Sequence, residues 1–250
     1  LLSIMGIIPG EDLKVREMLS AQQKNTLSAM EEQTDIMMAR SISLSEDVTK
    51  ELNQCLTANG KTFSDLNDNP QLIMDLESAL YPSLKSALDV KYCSGVFVVL
   101  DATVNTKTEY ADTSRMGIYL RLSDLKAVNT SKQHVVFFRG NADIARAEQV
   151  QLHNRWNLEF DTSALPGYEQ IMRFDGNRLV ESCLWTDRLE LSDTWEDVQL
   201  LYVPVLDSTG KVRGLCGMEM SNLYFRLSYP MVEGSCGNIV TVLAPMDKKG

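Results

Sequence analysis

The sequence predicts an α+β protein, in which a long amino-terminal helix precedes an antiparallel β-sheet with helices and loops covering one face. Two observations predict this plan. No proline or glycine occurs from Glu11 to Ala58, where the apolar spacing is helical. Short apolar runs rich in β-branched residues, separated by turn signals, follow from Gly95 onward and are typical of strands. Helical segments followed by a run of strands favour the α+β class.

The first predicted helix runs from Glu11 to Asn59, and Asn59-Gly60 provides a carboxyl-terminal cap. One stripe repeats every three or four residues; it consists of Leu27, Met30, Thr34, Met37, Ser41, Leu44, Val48, Leu52 and Cys55. Two interpretations stay open. The helix is a stalk that contributes to a dimer interface, or it is an amphipathic helix packed on its own domain, and different stretches can do each.

A second helix is expected from Gln71 to Leu88, with Pro70 before its first turn and a kink or division at Tyr81-Pro82. A further helix is expected over 142–156 and a closing helix over 222–227, capped by Ser221. The turn Asp207-Ser-Thr-Gly210 predicts a hairpin. The expected strands are 95–100, 116–121, 134–138, 179–186, 198–206, 211–220 and 238–243.

Composition excludes several function classes. The net charge of −10, from 34 acids and 24 bases, argues against a nucleic-acid partner. Five cysteines contain no C-x-x-C pair, so buried thiols are expected rather than a metal or redox motif. The two histidines have no metal-binding spacing, and no nucleophile, phosphate-loop or dinucleotide motif occurs. We therefore expect neither an enzyme nor a bound metal or cofactor.

The chain divides into four expected segments. Residues 1–10, an apolar run ending at Pro9-Gly10, are interpreted as the end of a membrane helix. Residues 11–60 form the long helix, and 61–230 form the sheet module. Residues 231–250 are expected to be a linker and the first strand of a truncated second module.

One stretch carries a family resemblance. Leu201-Tyr-Val-Pro-Val-Leu-Asp-Ser-Thr-Gly-Lys-Val-Arg-Gly-Leu-Cys-Gly-Met-Glu-Met-Ser221 resembles the last two strands of Cache domains, the PAS-like extracytoplasmic sensor modules of bacterial receptors. The segments 95–103 and 116–121 resemble the first two strands of the membrane-distal module in the double-Cache form, and 183–195 resembles its third strand and following loop. The helix over 11–59 is similar to the family's spine helix.

The resemblance implies an extracytoplasmic sensor of a small ligand, such as an amino acid, a carboxylate or an amine, attached to membrane helices. It implies a pocket between the sheet and its covering segments, with Tyr119, Arg121, Trp185 and Tyr202 on successive strands and Glu219 in the place of a late amine-binding acid. The Arg-x-Trp-Tyr run of amino-acid-binding members is absent, since Leu122 and Ser123 follow Arg121.

Strand alternation supports part of this site. Tyr119 and Arg121 share one face of their strand, whereas Ile118 and Leu120 share the other. An arginine beside a tyrosine on a covered face predicts a carboxylate clamp, since a guanidinium binds oxyanions with two hydrogen bonds. Alternatively, Arg121 faces water or pairs with an acid of the chain, such as Asp101, Asp124 or Glu219.

The remaining candidates have equally ordinary alternatives. Trp185 is either a pocket wall or core. Asp187 and the neighbouring Arg188 either face the pocket or form a rim salt bridge. Arg139 can reach a ligand from the covering side. Glu219, in an apolar strand, needs a partner if it is buried, and a ligand amine is one candidate.

These observations favour an extracytoplasmic sensor that forms a homodimer through the long helix, in a histidine kinase, chemoreceptor or cyclic-dinucleotide enzyme at the cell membrane. A ligand that prefers one arrangement of the module would shift the helix. Two alternatives belong to other classes: a surface module that binds a protein and no small ligand, and an uncharacterised hydrolase with clustered carboxylates in a cleft.

Overall fold

The computed structural model describes residues 9–125, 134–175, 179–191, 196–229, 232–234 and 237–239. Five helices lie in these ranges: α1 Pro9–Ala58, α2 Pro70–Ala87, α3 Ala142–Ala147, α4 Tyr168–Met172 and α5 Asn222–Ser228. Short 3-10 turns occupy Phe63–Leu66, Thr162–Ala164 and Leu179–Ser182. None of the described helices is both long and apolar enough to cross a membrane.

The main sheet has eight strands. Its members are β1 Gly95–Leu100, β3 Gly117–Leu122, β4 Val135–Arg139, β5 Gln151–Asn157, β7 Leu184–Trp185, β8 Leu189–Glu190, β9 Asp197–Leu206 and β10 Val212–Ser221. The order is β5-β4-β3-β1-β10-β9-β7, and β8 also pairs with β9. Two small two-stranded sheets lie outside it: β2 Ser114–Arg115 with β6 Phe160–Asp161, and β11 Val232–Gly234 with β12 Gly237–Ile239. The predicted α+β plan is confirmed.

The sheet separates two apolar cores because alternate side chains of each strand point to opposite faces. On β1, Val96, Val98 and Leu100 belong to the core that packs against α1 and α2. Phe97 and Val99 belong to a second core on the opposite face, which Phe160 and α4 cover. We call these the spine face and the covered face.

The carboxyl-terminal half of α1 packs on the core, and its amino-terminal half is more exposed. From residue 37 onward, Met37, Leu44, Val48 and Leu52 are each at most 2% exposed and pack on the spine face. The Oγ atom of Ser45 donates to the carbonyl oxygen of Pro204 at 2.6 Å, which ties the helix to β9. Leu27, the first residue of the predicted stripe, is 54% exposed, whereas Met30 already packs against the core.

The helix α2 is continuous through Tyr81-Pro82, and the expected division there is wrong. Pro82 lies on the exposed side of α2, where water can satisfy the carbonyl that loses its N–H donor. Leu80, Tyr81 and Leu84 are buried on the other side and hold both parts of the helix against the core. The side chain of Asn69 caps its first turn.

Two other predicted elements differ. The helix expected over 142–156 ends at Ala147, and the chain turns at Gln149, whose φ is 56°, into β5. Val150, just before β5, and Trp156, within β5, are six positions apart, and both contact the core of the spine face. The strand expected over 179–186 is a 3-10 turn followed by β7.

Some predictions lie partly outside the described residues. The strand expected over 238–243 is described only to Ile239, where Gly237–Ile239 pairs with Val232–Gly234. Residues 1–8 and 240–250 are outside the description, so the expected membrane-helix end and second module remain predictions.

Candidate functional site

A charged cluster lies within the aromatic core of the covered face. Arg121 on β3 and Glu219 on β10 form an ion pair in which the side chains are 6% and 0% exposed. The Nε atom of Arg121 lies 2.7 Å from Glu219 Oε2, and its Nη2 atom lies 3.0 Å from Oε1. Two other groups also donate to Glu219: the hydroxyl of Tyr119 to Oε2, and Ser94 Oγ to Oε1 at 2.6 Å.

The strand register assembles this cluster. Gly95 on β1 pairs with Arg121 on one side and with Glu219 on the other, so the two charged side chains meet above it. A Cβ atom at Gly95 would lie 2.9 Å from Glu219 Oε2 and 3.1 Å from the Tyr119 ring. Glycine at this position therefore makes room for the ion pair.

The pair is charged in the folded protein. Burial disfavours ionisation of Glu219, but the charge of Arg121 and hydrogen bonds from Arg121, Ser94 and Tyr119 outweigh it, so the pKa of the Glu219 carboxyl is lowered. Burial also opposes the charge on Arg121, whereas Glu219 holds the pKa of the guanidinium above its ordinary value. Burial and the Glu219 carboxylate raise the pKa of Tyr119, which keeps its hydroxyl protonated as a donor.

A second acid reaches the same arginine from the solvent side. Glu196, whose side chain is 49% exposed, forms an ion pair with Arg121 Nη2. The guanidinium carbons of Arg121 and Arg139 lie 5.5 Å and 4.2 Å from the centre of the Phe138 ring. The ring of His153 lies 4.9 Å from that of Phe138, and burial lowers the pKa of His153.

Tyr202 on β9 supplies a polar group to the same face. Its side chain is fully buried, and its hydroxyl has no hydrogen-bond partner in the described part of the chain. Its ring meets that of Phe97 edge-on, with centroids 5.8 Å apart. A buried hydroxyl without a partner costs about 1–3 kcal/mol, so its position needs an explanation other than stability.

Of the seven residues that the sequence singled out, Tyr119, Arg121 and Glu219 form one hydrogen-bonded cluster, and Tyr202 belongs to the same apolar core as Tyr119. Arg139 lies at the edge of this group, where its Nη1 atom donates to the carbonyl oxygens of Phe138 and Arg155. Its stacking on Phe138 keeps it beside Arg121.

Two of the seven lie elsewhere. Trp185 pairs with Leu201, and both side chains pack on the spine face, so Trp185 cannot share a pocket with Tyr119. Asp187 is exposed in the connection between β7 and β8. The neighbouring Arg188 pairs with Asp197 at the sheet edge, which is the rim salt bridge that the sequence left open.

The sequence missed the residues that close the cluster. Glu196 and Ser94 contact Arg121 and Glu219, but neither stands in a motif. Asp101, one of the expected partners of Arg121, pairs instead with Arg115 at 2.6 Å. Within the described ranges, no group of three or more metal-ligating side chains is close enough to hold a metal ion.

Comparison with known proteins gives a distant structural likeness. No family model matches the sequence, and no curated protein matches it. Among solved structures, the chain is similar to the periplasmic sensory domain of the Campylobacter jejuni chemoreceptor Tlp1, with 13% sequence identity and a TM-score of 0.48. The match covers 85% of this chain and 62% of that one, so this chain spans less than two thirds of that domain. At this identity, the comparison assigns no residue of the chain to a ligand site.

Proposed function

We propose that this chain is the extracytoplasmic sensor domain of a bacterial membrane signalling receptor, of the Cache type, and that it binds a small polar ligand on the covered face. The observation that carries the proposal is the unpartnered Tyr202 hydroxyl in the same enclosed core as the Arg121–Glu219 pair. Buried ion pairs contribute little net stability compared with apolar residues of similar volume. A polar cluster of this kind in an aromatic core is better explained by recognition.

The geometry restricts how a ligand can use Arg121. Glu219 already occupies the edge formed by Nε and Nη2, so the simple carboxylate clamp is filled from within the chain. Glu196 is the exchangeable partner because its side chain is half exposed. A ligand carboxylate would replace Glu196 at Arg121 and accept a hydrogen bond from Tyr202.

Entry requires movement of the covering segment. The Tyr202 hydroxyl is enclosed, and Tyr168 and Ile171 of α4 belong to the same core. A ligand therefore reaches the hydroxyl when α4 moves away from β9 and β10. The helix α4 is a suitable moving part because it has only five residues, so its displacement breaks few backbone hydrogen bonds.

The proposed route of transmission passes through the sheet. Glu219 lies on the covered face of β10, whereas its neighbours Met218 and Met220 pack on the spine face with α1. The bond from Ser45 to Pro204 fixes α1 to β9 as well. A ligand that binds one arrangement of these strands more tightly than another shifts the equilibrium towards that arrangement, and α1 moves with the strands. The free energy of this shift cannot exceed the difference between the two binding free energies.

We propose a binding role rather than catalysis. Glu77 on α2 has the raised pKa expected of a general acid or base, because burial raises it to about 8 against the hydrogen bonds from the backbone N–H groups of Asn141 and Gly117. It is only 1% exposed, and those two N–H groups occupy both carboxyl oxygens. A substrate has no access to it, which favours a structural role.

A thermal-shift screen tests the sensor proposal. The purified chain is screened against amino acids, small carboxylates, amines and purines. A ligand present at 100 times its Kd stabilises the folded state by about 2.7 kcal/mol and raises Tm. We expect selective hits among carboxylates and amino acids. Hits that are independent of charge, or equal stabilisation by the whole panel, would contradict a specific pocket on the covered face.

A further inference from the structure

A second space lies on the spine face, between α1, α5 and the ends of β7, β9 and β10. It is a cavity of about 220 Å³. The residues that matter for its chemistry are Met30, Thr34, Trp185, Gln199, Met220 and Phe225. Because Trp185 and Met220 pack on the spine face, the sheet separates this cavity from the Arg121 cluster.

The side chains that line this cavity disfavour a charged ligand. None of the described residues that line the cavity carries a formal charge, and most of the surface comes from methionine and aromatic side chains. An ion placed here would lose its hydration without gaining a partner, which is costly. The cavity therefore suits a neutral molecule.

Gln199 and Thr34 offer hydrogen-bonding groups to a ligand in this cavity. Gln199 lines it, and its carboxamide makes no hydrogen bond to another residue in the described ranges. The hydroxyl of Thr34 donates to the carbonyl oxygen of Met30 at 2.8 Å, which leaves its lone pairs as acceptors. A carboxamide offers one acceptor and two donors, so its best complement is another amide.

Size and wall chemistry indicate the rest of the ligand. An apolar cavity of about 150 Å³ is known to hold benzene. This cavity is larger, at about 220 Å³, and has room for a ring with a substituent. Trp185 and Phe225 offer ring contacts, and Met30 and Met220 offer sulfur atoms that pack favourably against aromatic edges.

We propose that this cavity binds a small neutral aromatic molecule that carries a carboxamide, with the amide paired to Gln199 and the ring held among Trp185, Phe225 and the two methionines. This site is separate from the ligand site proposed on the covered face. Since α1 and α5 both line it, its occupation holds the middle of the spine helix against the sheet.

Nuclear magnetic resonance of the indole N–H groups tests this site with benzamide as the probe. The chain has three tryptophans, and Trp185→Phe identifies the Trp185 signal by its loss. We expect benzamide to shift the Trp185 signal saturably and to leave that of Trp156, which lies on β5, in place. Benzoate, which has nearly the same shape and a full charge, is expected to bind at least tenfold more weakly.

Two variants locate the binding, and a third separates the two proposed sites. Gln199→Leu should weaken benzamide binding about tenfold. Thr34→Phe, which fills the cavity from the half-buried side of α1, should abolish it. Tyr202→Phe should leave it unchanged, whatever the outcome on the covered face. Circular dichroism checks that each variant is folded.

Three results would overturn the proposal. A Trp185 signal that does not move when benzamide is added would show that the cavity does not bind a neutral aromatic carboxamide. Equal affinities for benzamide and benzoate would show that the cavity does not select a neutral ligand over a charged one. Unchanged binding to Thr34→Phe would place the probe elsewhere.

Discussion

Glu219 is held by four donors at once, and its charge is matched by a single buried guanidinium. Each of the two charges depends on the other, because a buried charge that loses its partner is penalised by several kcal/mol. The energetic contribution of this pair is therefore best measured by removing one charge with the smallest change of shape.

Glu219→Gln should lower the free energy of unfolding by about 3–5 kcal/mol at pH 7, since it leaves the buried charge of Arg121 with only the half-exposed Glu196 as an acidic partner. Urea denaturation of both proteins measures the difference, and Glu190→Gln, at an exposed position on β8, is the control. In the wild type, the lowered pKa of Glu219 contributes stability above its unfolded value, and this is lost as pH falls through the folded pKa. Equal stabilities of Glu219→Gln and Glu190→Gln would show that the pair is not buried.

Glu77 has the opposite pH dependence. Its pKa rises from 4.5 to about 8, so the folded state holds a proton that the unfolded state releases. This contribution to stability is complete below the unfolded value and is lost as pH rises, by about 1.4 kcal/mol for each pH unit between the two values. Relative to the wild type, Glu77→Gln should become more stable from pH 5 to pH 8.

Denaturation curves at several pH values measure this difference directly. Glu148→Gln is a matched control, since Glu148 forms an exposed pair with Lys85. A constant difference between wild type and Glu77→Gln across the range would mean that Glu77 is ionised in the folded protein.

For single residues, the sequence predicted which face of a strand a side chain occupies. It did not predict which side chains contact each other across neighbouring strands. The period of two placed Tyr119 and Arg121 on one face, which the structure confirms. That Glu219 is the partner of Arg121 depends on the register of β1 between β3 and β10, and nothing local encodes it. Glu196 approaches from a separate segment and carries no sequence signal.

The spine helix α1 has two different parts at the element scale. Leu52 is fully buried on the spine face, and Leu27 is 54% exposed. Leu52→Ala should lower the free energy of unfolding by about 2–5 kcal/mol, whereas Leu27→Ala should change it by less than about 0.5 kcal/mol. The midpoints of urea denaturation measure both effects. Equal losses would contradict the division of α1 into a packed and a projecting part.

The projecting part of α1 is the proposed dimer contact. Met18, Leu19 and Leu27 are apolar and exposed there, at 41%, 38% and 54%. Leu27→Glu should shift a dimer towards monomer in analytical ultracentrifugation, because it replaces the most exposed of these apolar side chains with a charged one. Leu223→Glu is the control, since Leu223 is 47% exposed on α5. A wild-type chain that is monomeric at high concentration would contradict a dimer through this helix.

Elements with a strong local signal were predicted well, and those that depend on tertiary contacts were not. The long helix, the start of α2 at Pro70 and the hairpin of β9 and β10 follow from local spacing and turn residues. Over 142–156, a helical pattern and a strand pattern share the same apolar positions. The parallel pairing of β5 with β4 stabilises the strand instead of the helix. This pairing is a tertiary contact, so the local sequence pattern could not predict it.

The whole molecule is a sheet with a different role for each face. The spine face joins the sheet to α1, and the covered face holds the charged cluster. The strand β10 lies between β1 and β9 in this sheet, and its side chains alternate between the two faces.

The proposed ligand site is on the covered face, at Tyr202. Calorimetric titration of Tyr202→Phe with the strongest hit of the thermal-shift screen tests whether the ligand binds at Tyr202. The substitution removes an unpartnered hydroxyl, so the unfolding free energy should stay the same or rise. Tyr81→Phe, at a buried tyrosine on the spine face, is the control. Tyr202→Phe should weaken binding about tenfold, and Tyr81→Phe should leave it unchanged. Wild-type affinity in Tyr202→Phe would contradict a ligand site on the covered face.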